Sequence, residues 1–263
     1  MQLTMKAYAK INLELDVLNR REDGYHDLFS IMQAVDLFDE VTVTRDEEPG
    51  IRLTVEGLPE GETLPADSSN LAYRAAEKML AIYMEGQSAR HPAARMLELW
   101  EEQRPDGAHR KFGMAAGVRP GVTIRLVKHI PMAAGLAGGS ADAAAVILAL
   151  NKLLYLTLPM SRLYEIGKSL GADVPFCILA QSGESGCAAA RGIGEKLTPL
   201  PSLKAWLVLV RPGVQVSTPA IVKGWDRLNP EKETGDATAL AADASLRMGI
   251  WGELLQSGDF AAM

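Results

Sequence analysis

IPMAAGLAGGSADAAAVILALN, residues 130–151, is the stretch from which the fold is read. Just before it, Val122, Ile124 and Leu126 alternate with Thr123 and Arg125, the two-residue period of a half-buried strand, and Pro131 halts that strand. Gly135, Gly138 and Gly139 then allow a tight turn and a close backbone approach to a ligand. Ser140 reads as the N-cap of a helix, and the alanine-rich run after it favours helix. A glycine loop running into a helix start offers unpaired N–H groups and the positive end of the helix dipole, which together make a seat for phosphate. Taken alone, the loop is read as well by a plain strand-to-helix connection whose glycines serve only close packing. Asp142, expected in the first helical turn, reads as a dipole-stabilising residue in preference to a metal ligand.

Composition narrows the classes. The chain has 263 residues, enough for one large or two smaller domains, and its 48% apolar and 23% charged residues are ordinary for a soluble globular protein. A net charge of −6 argues against non-specific nucleic-acid binding, while an anionic substrate can still be held by converging donors. Residues 1–10 contain no apolar core of a secretory signal, and no apolar run approaches the roughly 20 residues that span a bilayer. The expectation is a cytoplasmic protein that engages neither nucleic acid nor membrane. Cys177 and Cys187 have neither metal-site spacing nor a disulfide framework and read as buried free thiols.

The full pattern is Pro131-x-x-x-Gly135-Leu136-x-Gly138-Gly139-Ser140, followed by Asp142 and three alanines. No Gly-Lys-Ser/Thr closes it, so it is not a Walker A loop, and it is not the dinucleotide G-x-G-x-x-G. It resembles the phosphate loop of the GHMP kinase superfamily. That resemblance implies that Pro131, Met132, Ala133, Ala134, Gly135, Leu136, Ala137, Gly138, Gly139, Ser140 and Ala141 hold the phosphates of ATP, with Ser140 beside Mg²⁺.

From Met5 the chain alternates. Met5, Ala7, Ala9, Ile11, Leu13, Leu15 and Val17 are expected on one strand face, with Lys6, Lys10, Asn12, Glu14 and Asp16 on the other. Periodicity alone reads that second face as solvent-exposed. A charged turn over residues 19–24 leads to Tyr25 and His26. The segment AYAKINLELDVLNRREDGYHDLFSIMQAVDLFDEVTV resembles the amino-terminal signature of the 4-diphosphocytidyl-2-C-methyl-D-erythritol kinase family. The resemblance implies that Lys10 and Asn12 face the active site and that Tyr25 and His26 hold a cytosine. A base needs a π face to stack on and polar partners at its edge, which these residue types supply.

Val41 and Val43, then Ile51, Leu53 and Val55, read as further strands. Ser68 and Ser69 can cap a helix with Leu71, Ala75, Met79 and Tyr83 on one stripe. Asn70, at its start, matches a family position bordering the nucleotide, and helix capping explains it too. Residues 85–120 are the least family-like part and read as an insertion, with ARMLELWEEQ as a short helix and RPDGAHRKFG as turn-rich. Pro159 and Ser161 start a helix that Gly171 ends. Directly after it, Gly171-Ala172-Asp173-Val174-Pro175 matches a second motif of the family, which implies that Asp173 is the catalytic base and Lys10 its partner.

Residues 206–210 form a continuous apolar run and read as a buried strand. Ser217, Thr218 and Pro219 read as N-cap and first helical turn, with Thr218 implied in substrate binding by the resemblance. Val222 stands where the family carries an aromatic over the cytosine, and Trp225, one helical turn on, is the candidate substitute. Nothing after Gly213 resembles the family's third, glycine- and serine-rich motif; the segment AADASLRMGIWGELLQSGDF reads as helical.

The resemblance implies an α+β fold in two lobes: residues 1–198 an amino-terminal lobe of the ribosomal-protein-S5 type carrying the phosphate loop, and residues 199–263 an incomplete GHMP carboxyl-terminal lobe. It implies ATP-dependent phosphorylation of a cytidine-diphosphate-linked methylerythritol, with ATP and Mg²⁺ as cofactors, by a monomer or weak homodimer. The alternatives are another GHMP small-molecule kinase and a GHMP-fold protein that binds a nucleotide or a partner without catalysis.

Overall fold

The computed structural model describes residues 1–89, 120–211, 218–229 and 237–258. In chain order its elements are β1 (Gln2–Arg20), β2 (His26–Asp46), β3 (Gly50–Glu56), α1 (Leu71–Ala89), β4 (Gly121–Val127), α2 (Gly138–Leu153), α3 (Met160–Lys168), α4 (Val174–Ser182), β5 (Cys187–Gly192), β6 (Lys196–Leu200), α5 (Thr218–Leu228) and α6 (Ala237–Ser257). The helix and turns expected between residues 90 and 119 lie outside the described residues, as do Pro212, Gly213 and Ser217.

One mixed sheet organises the chain, and β2 is its spine. Along one edge β2 pairs antiparallel with β1 for nearly its whole length. Its other edge is shared: Leu28 to Gln33 pair with β5, and Glu40 to Asp46 pair with β4, both antiparallel. β3 lies parallel to β4, as a strand returning through helix α1 requires, and β6 closes the opposite edge on β5.

The alternation of β1 does not run unbroken. Its register against β2 shifts between Tyr8 and Lys10, Asn12 and Glu14, and Val17 and Asn19. The first shift sets two residues of β1 against four of β2 and so keeps the side-chain alternation, whereas the second and third each add one residue to β1, after which its later residues change face. Ala9 and Lys10 are both buried, and beyond the second shift Leu15 is 56% exposed. The single apolar face expected from Met5 to Val17 is thus corrected beyond Asn12, where a bulge exchanges the faces.

The larger core lies between this sheet and helices α1, α2, α3 and α4. Of the expected stripe of α1, Ala75, Met79 and Tyr83 are buried and Leu71 is partly buried, and Ala72 and Ala76 are buried beside them. Its cap is Asn70, whose Oδ1 accepts the Ala72 N–H at 2.9 Å, while Ser69 is held by Asp67. The cap is therefore Asn70 and not Ser68 or Ser69, because an Asn side chain reaches the N–H two residues on. α2 is apolar almost all round, with Ala141, Ala143, Ala144, Ala145 and Ala149 fully buried. Such small side chains let neighbouring elements approach it closely from several sides.

The two faces of β2 carry different partners. Met32 joins Phe176 and Leu179 of α4, whereas Phe29 and Ile31 join Ala244, Trp251 and Leu255 of α6. α6 thus covers the face opposite α4. Its Arg247 reaches Glu14 at 2.8 Å and Asp16 at 3.0 Å, and the Trp251 indole N–H donates to Glu14. Cys177 and Cys187 are buried free thiols, and burial pushes the Cys187 thiol up to about 12. Among the described residues no helix is long and apolar enough to cross a membrane.

The run at residues 206–210 departs from its reading. Trp206, Val208 and Val210 are exposed by 103%, 90% and 84%, and the segment carries no strand hydrogen bonds. An apolar run becomes a buried strand only when a neighbour supplies its ladder and a second layer covers it, and no described strand pairs with this one.

The docking of α6 has a measurable consequence. Trp251→Ala removes an aromatic side chain only 7% exposed and should cost about 3–5 kcal/mol of stability, read from urea unfolding. An unchanged midpoint would show that α6 contributes nothing to the sheet.

Candidate active site

The glycine loop after Pro131 is strained in a regular way. Ala133, Gly135 and Ala137 have φ of 52°, 73° and 57°, separated by residues of ordinary negative φ. Glycine adopts this conformation freely, whereas each alanine costs about 1–2 kcal/mol. Alternating right- and left-handed residues turn successive N–H groups toward one side and make an anion-binding concavity. Strain kept at two positions of one loop points to function.

The helix after it begins at Gly138, three residues earlier than expected. Its N-cap is Ala137, which has no side-chain cap bond, so Ser140 is the third helical residue and not the cap. Asp142 consequently falls in the second turn, beyond the dipole position expected for it. The left-handed turn at Ala137 already sends the chain into the helix, and a capping side chain would occupy donors that a ligand could use. The first intrahelical bond runs from Ala141 N–H to the Ala137 carbonyl at 2.9 Å, leaving the N–H groups of Gly138, Gly139 and Ser140 without an acceptor in the helix. Gly138 is closely packed as well: a Cβ there would lie 3.1 Å from Ile130 Cγ2.

Beneath the loop lies a buried charge cluster that sequence reading missed. Lys128 Nζ donates to Asp39 and, at 2.6 Å, to Asp142 Oδ2; all three residues are at most 5% exposed. Asp39 Oδ1 also accepts the backbone N–H groups of His129 and, at 2.8 Å, Ile130. Burial pushes the Asp142 carboxyl up to about 7, Lys128 opposes that shift, and the Asp39 charge adds to it. For Lys128, burial pulls the pKa down, but Asp142 and Asp39 together outweigh it and the net shift is upward. Among the described residues Asp142 Oδ1 has no partner.

Lys10, Asn12 and Asp173 come together beside the loop. Lys10 Nζ stands 3.9 Å from Asp173 Oδ2 and donates to Asn12 Oδ1 at 3.3 Å, and Ser30 Oγ donates to the same oxygen at 3.1 Å. The Lys10 backbone N–H donates to the Leu136 carbonyl at 3.0 Å, which ties β1 to the phosphate loop. Asp173 is the N-cap residue of α4, yet its carboxylate makes no cap bond and remains partly exposed. A Cβ on Gly171 would lie 4.0 Å from Ser140 Oγ, so the GADVP turn and the helix start adjoin. Leu71 adjoins the same helix start, its Cδ1 3.7 Å from where a Gly139 Cβ would stand. Asn70 beside it is committed at both ends, its Nδ2 donating to the Pro65 carbonyl at 2.8 Å.

His26 lies at the far end of the β1–β2 hairpin, opposite Arg20, and is 8% exposed. α5 supplies its surroundings: Asp226 Oδ1 is 2.6 Å from His26 Nε2, and the Trp225 ring meets the imidazole edge-on at 5.6 Å. Tyr25 is 60% exposed. Thr218 begins α5, and its side chain and that of Val222 lie outside the described residues. Arg211 donates to the Met132 carbonyl at 3.2 Å, a further link to the phosphate loop. No sequence period announces Asp226 or Lys128, since their partners lie on distant elements. Among the described residues no three metal-ligating side chains cluster.

A family model described as GHMP kinases N terminal domain matches residues 104–181. The 4-diphosphocytidyl-2-C-methyl-D-erythritol kinase of Moorella thermoacetica is 42% identical over 244 residues, 91% of this chain and 70% of that protein. The protein of the same name from Geobacter sulfurreducens is 43% identical over 220 residues, 82% of this chain and 63% of that protein. A crystal structure of 4-(cytidine 5'-diphospho)-2C-methyl-D-erythritol kinase superposes with a TM-score of 0.58 at 32% identity, covering 98% of this chain and 72% of that one. The chain thus spans roughly two thirds of the length of the curated relatives it matches.

The raised Asp142 pKa sets a sign for stability. Between about pH 4 and pH 7 the folded chain keeps a proton that the unfolded chain has lost, so this group's contribution falls as pH rises, by at most about 1.4 kcal/mol per unit, and levels off above. Asp142→Asn should remove that slope in urea unfolding across this range. Identical pH profiles for the two chains would sink the assignment.

Proposed function

Because the chain belongs to the family of 4-diphosphocytidyl-2-C-methyl-D-erythritol kinases, we propose that it transfers the γ-phosphoryl group of ATP to the 2-hydroxyl of 4-diphosphocytidyl-2-C-methylerythritol. The products are the 2-phosphate and ADP, in the non-mevalonate supply of isopentenyl diphosphate. The observation that carries the reading is the Lys10–Asp173 pair, 3.9 Å apart, bound through the Lys10 backbone to the strained loop.

Phosphoryl transfer depends on positioning and charge stabilisation more than on covalent chemistry by the protein. In this reading the loop from Pro131 to Ala141 cradles the phosphates with its N–H groups and the helix dipole. Asn70 fixes the start of α1 alongside. Asp173 accepts the proton of the attacking hydroxyl, and the Lys10 charge beside it offsets negative charge developing on the transferred group. Asn12, Tyr25, His26 and Thr218 receive the substrate, the aromatic ring stacking on the base and the polar groups meeting its edge.

Mg²⁺ held mostly by phosphate oxygens and water needs only one or two protein oxygens, and the Ser140 hydroxyl at the helix start fits that role. When bound it neutralises charge on the β and γ oxygens.

The test is ADP release with Mg-ATP and the cytidine substrate, with the product identified by mass and homoserine and mevalonate as rival acceptors. Asp173→Asn should lower turnover by about 10²–10⁴-fold, and Lys10→Ala by a comparable factor, with the folded state retained. Near-native rates for either variant would remove that residue from the chemistry. Faster transfer to a rival acceptor would overturn the substrate assignment.

A further inference from the structure

We propose that Asp226 is a positioning residue that makes the base site selective: it holds His26 in its Nε2–H form, so that Nδ1 presents a lone pair and favours a pyrimidine with an exocyclic amino group over one with a carbonyl there. The proposal rests on the reading above, in which His26 faces the base.

Four observations carry it. His26 Nε2 and Asp226 Oδ1 are 2.6 Å apart. An ionised carboxylate can only accept, so the proton of that bond sits on Nε2, and in the neutral ring Nδ1 is left as an acceptor. Among the described residues His26 Nδ1 makes no hydrogen bond, so none of them spends its lone pair. The imidazole is also fixed in plane, because it is 8% exposed and Trp225 meets it edge-on with an interplanar angle of 85°. A ring held in position by a carboxylate and an aromatic neighbour keeps one tautomer and one orientation, as in other carboxylate–histidine pairs.

The chemical consequence is discrimination at one position of the base. Cytosine carries an amino group where uracil carries a carbonyl. A lone pair on Nδ1 accepts from the first and is set against the lone pairs of the second. A site built around one hydrogen bond rejects the analogue that leaves its polar group unpaired. α5 therefore contributes to recognition of the base through a residue that need not touch it.

A mere strut joining α5 to the hairpin would behave differently. Its loss would weaken every ligand alike, whereas loss of tautomer control weakens the amino-bearing base selectively. The experiment is calorimetric binding of CDP and UDP to the full chain and to Asp226→Asn and Asp226→Ala, with unfolding curves and turnover of the cytidine substrate measured alongside. Asn keeps the size of the side chain but can meet Nε2 with either its carbonyl or its N–H, so it no longer imposes a tautomer.

The parent chain is expected to prefer CDP by at least about tenfold, and both variants to bring the ratio close to one, mainly by weakening CDP. A parent chain without that preference overturns the proposal, as do variants that keep the ratio or lose both ligands equally. Should Asp226→Ala fail to fold, Asp226→Asn decides alone. A CDP preference that depends on Asp226 in a chain without turnover would sink the kinase reading and leave the inference standing. Turnover with an unaltered ratio would do the reverse.

Discussion

Two carboxylates that share one lysine in the protein interior constrain everything above them. Asp39, Lys128 and Asp142 come from β2, from the end of β4 and from α2, and none could be buried singly without a heavy desolvation cost. Their convergence fixes where β4 stops and where α2 starts. Asp39 also holds the backbone N–H groups of His129 and Ile130, and Ile130 packs against Gly138. The loop between them is consequently pinned at both ends, and left-handed alanines at 133 and 137 persist because the surroundings determine them.

β1 connects that platform to the rest of the site. Neighbouring Ala9 and Lys10 are both buried, so a charged side chain enters the interior from the face that periodicity alone would leave in solvent. The backbone of the same residue bonds Leu136 and its ammonium faces Asp173 and Asn12. The glycine loop, a carboxylate at the head of α4 and a polar strand are thereby held in one frame. Farther along the hairpin, α6 anchors Glu14 and Asp16 through Arg247, while α5 meets His26. Residues more than two hundred positions apart thus close around one strand pair.

Local patterns carried a large part of this. The strand before the loop, the glycine loop, the alanine helix, the stripe of α1 and the helix ahead of Asp173 are written in short-range periodicity and in residues with narrow conformational preferences. Lys10, Asn12 and Asp173 stood out through motifs, and the structure places them side by side. Where the reading failed, a nonlocal interaction was the reason. Residues 206–210 have the composition of a buried strand, but burial requires a pairing partner and a covering layer that no composition supplies.

By itself, then, the sequence determined the order of strands and helices, the position of the glycine loop and the residue types of the candidate site, because these follow from backbone sterics and hydrophobic period over a few neighbours. Only the tertiary structure decided that the helix starts at Gly138, that β1 changes faces at its bulges, that Lys128 bridges Asp39 and Asp142, and that Asp226 and Trp225 stand against His26. Each of these is settled by pairing register, by burial of charge or by contact between distant segments. Such interactions exist only once the chain has folded.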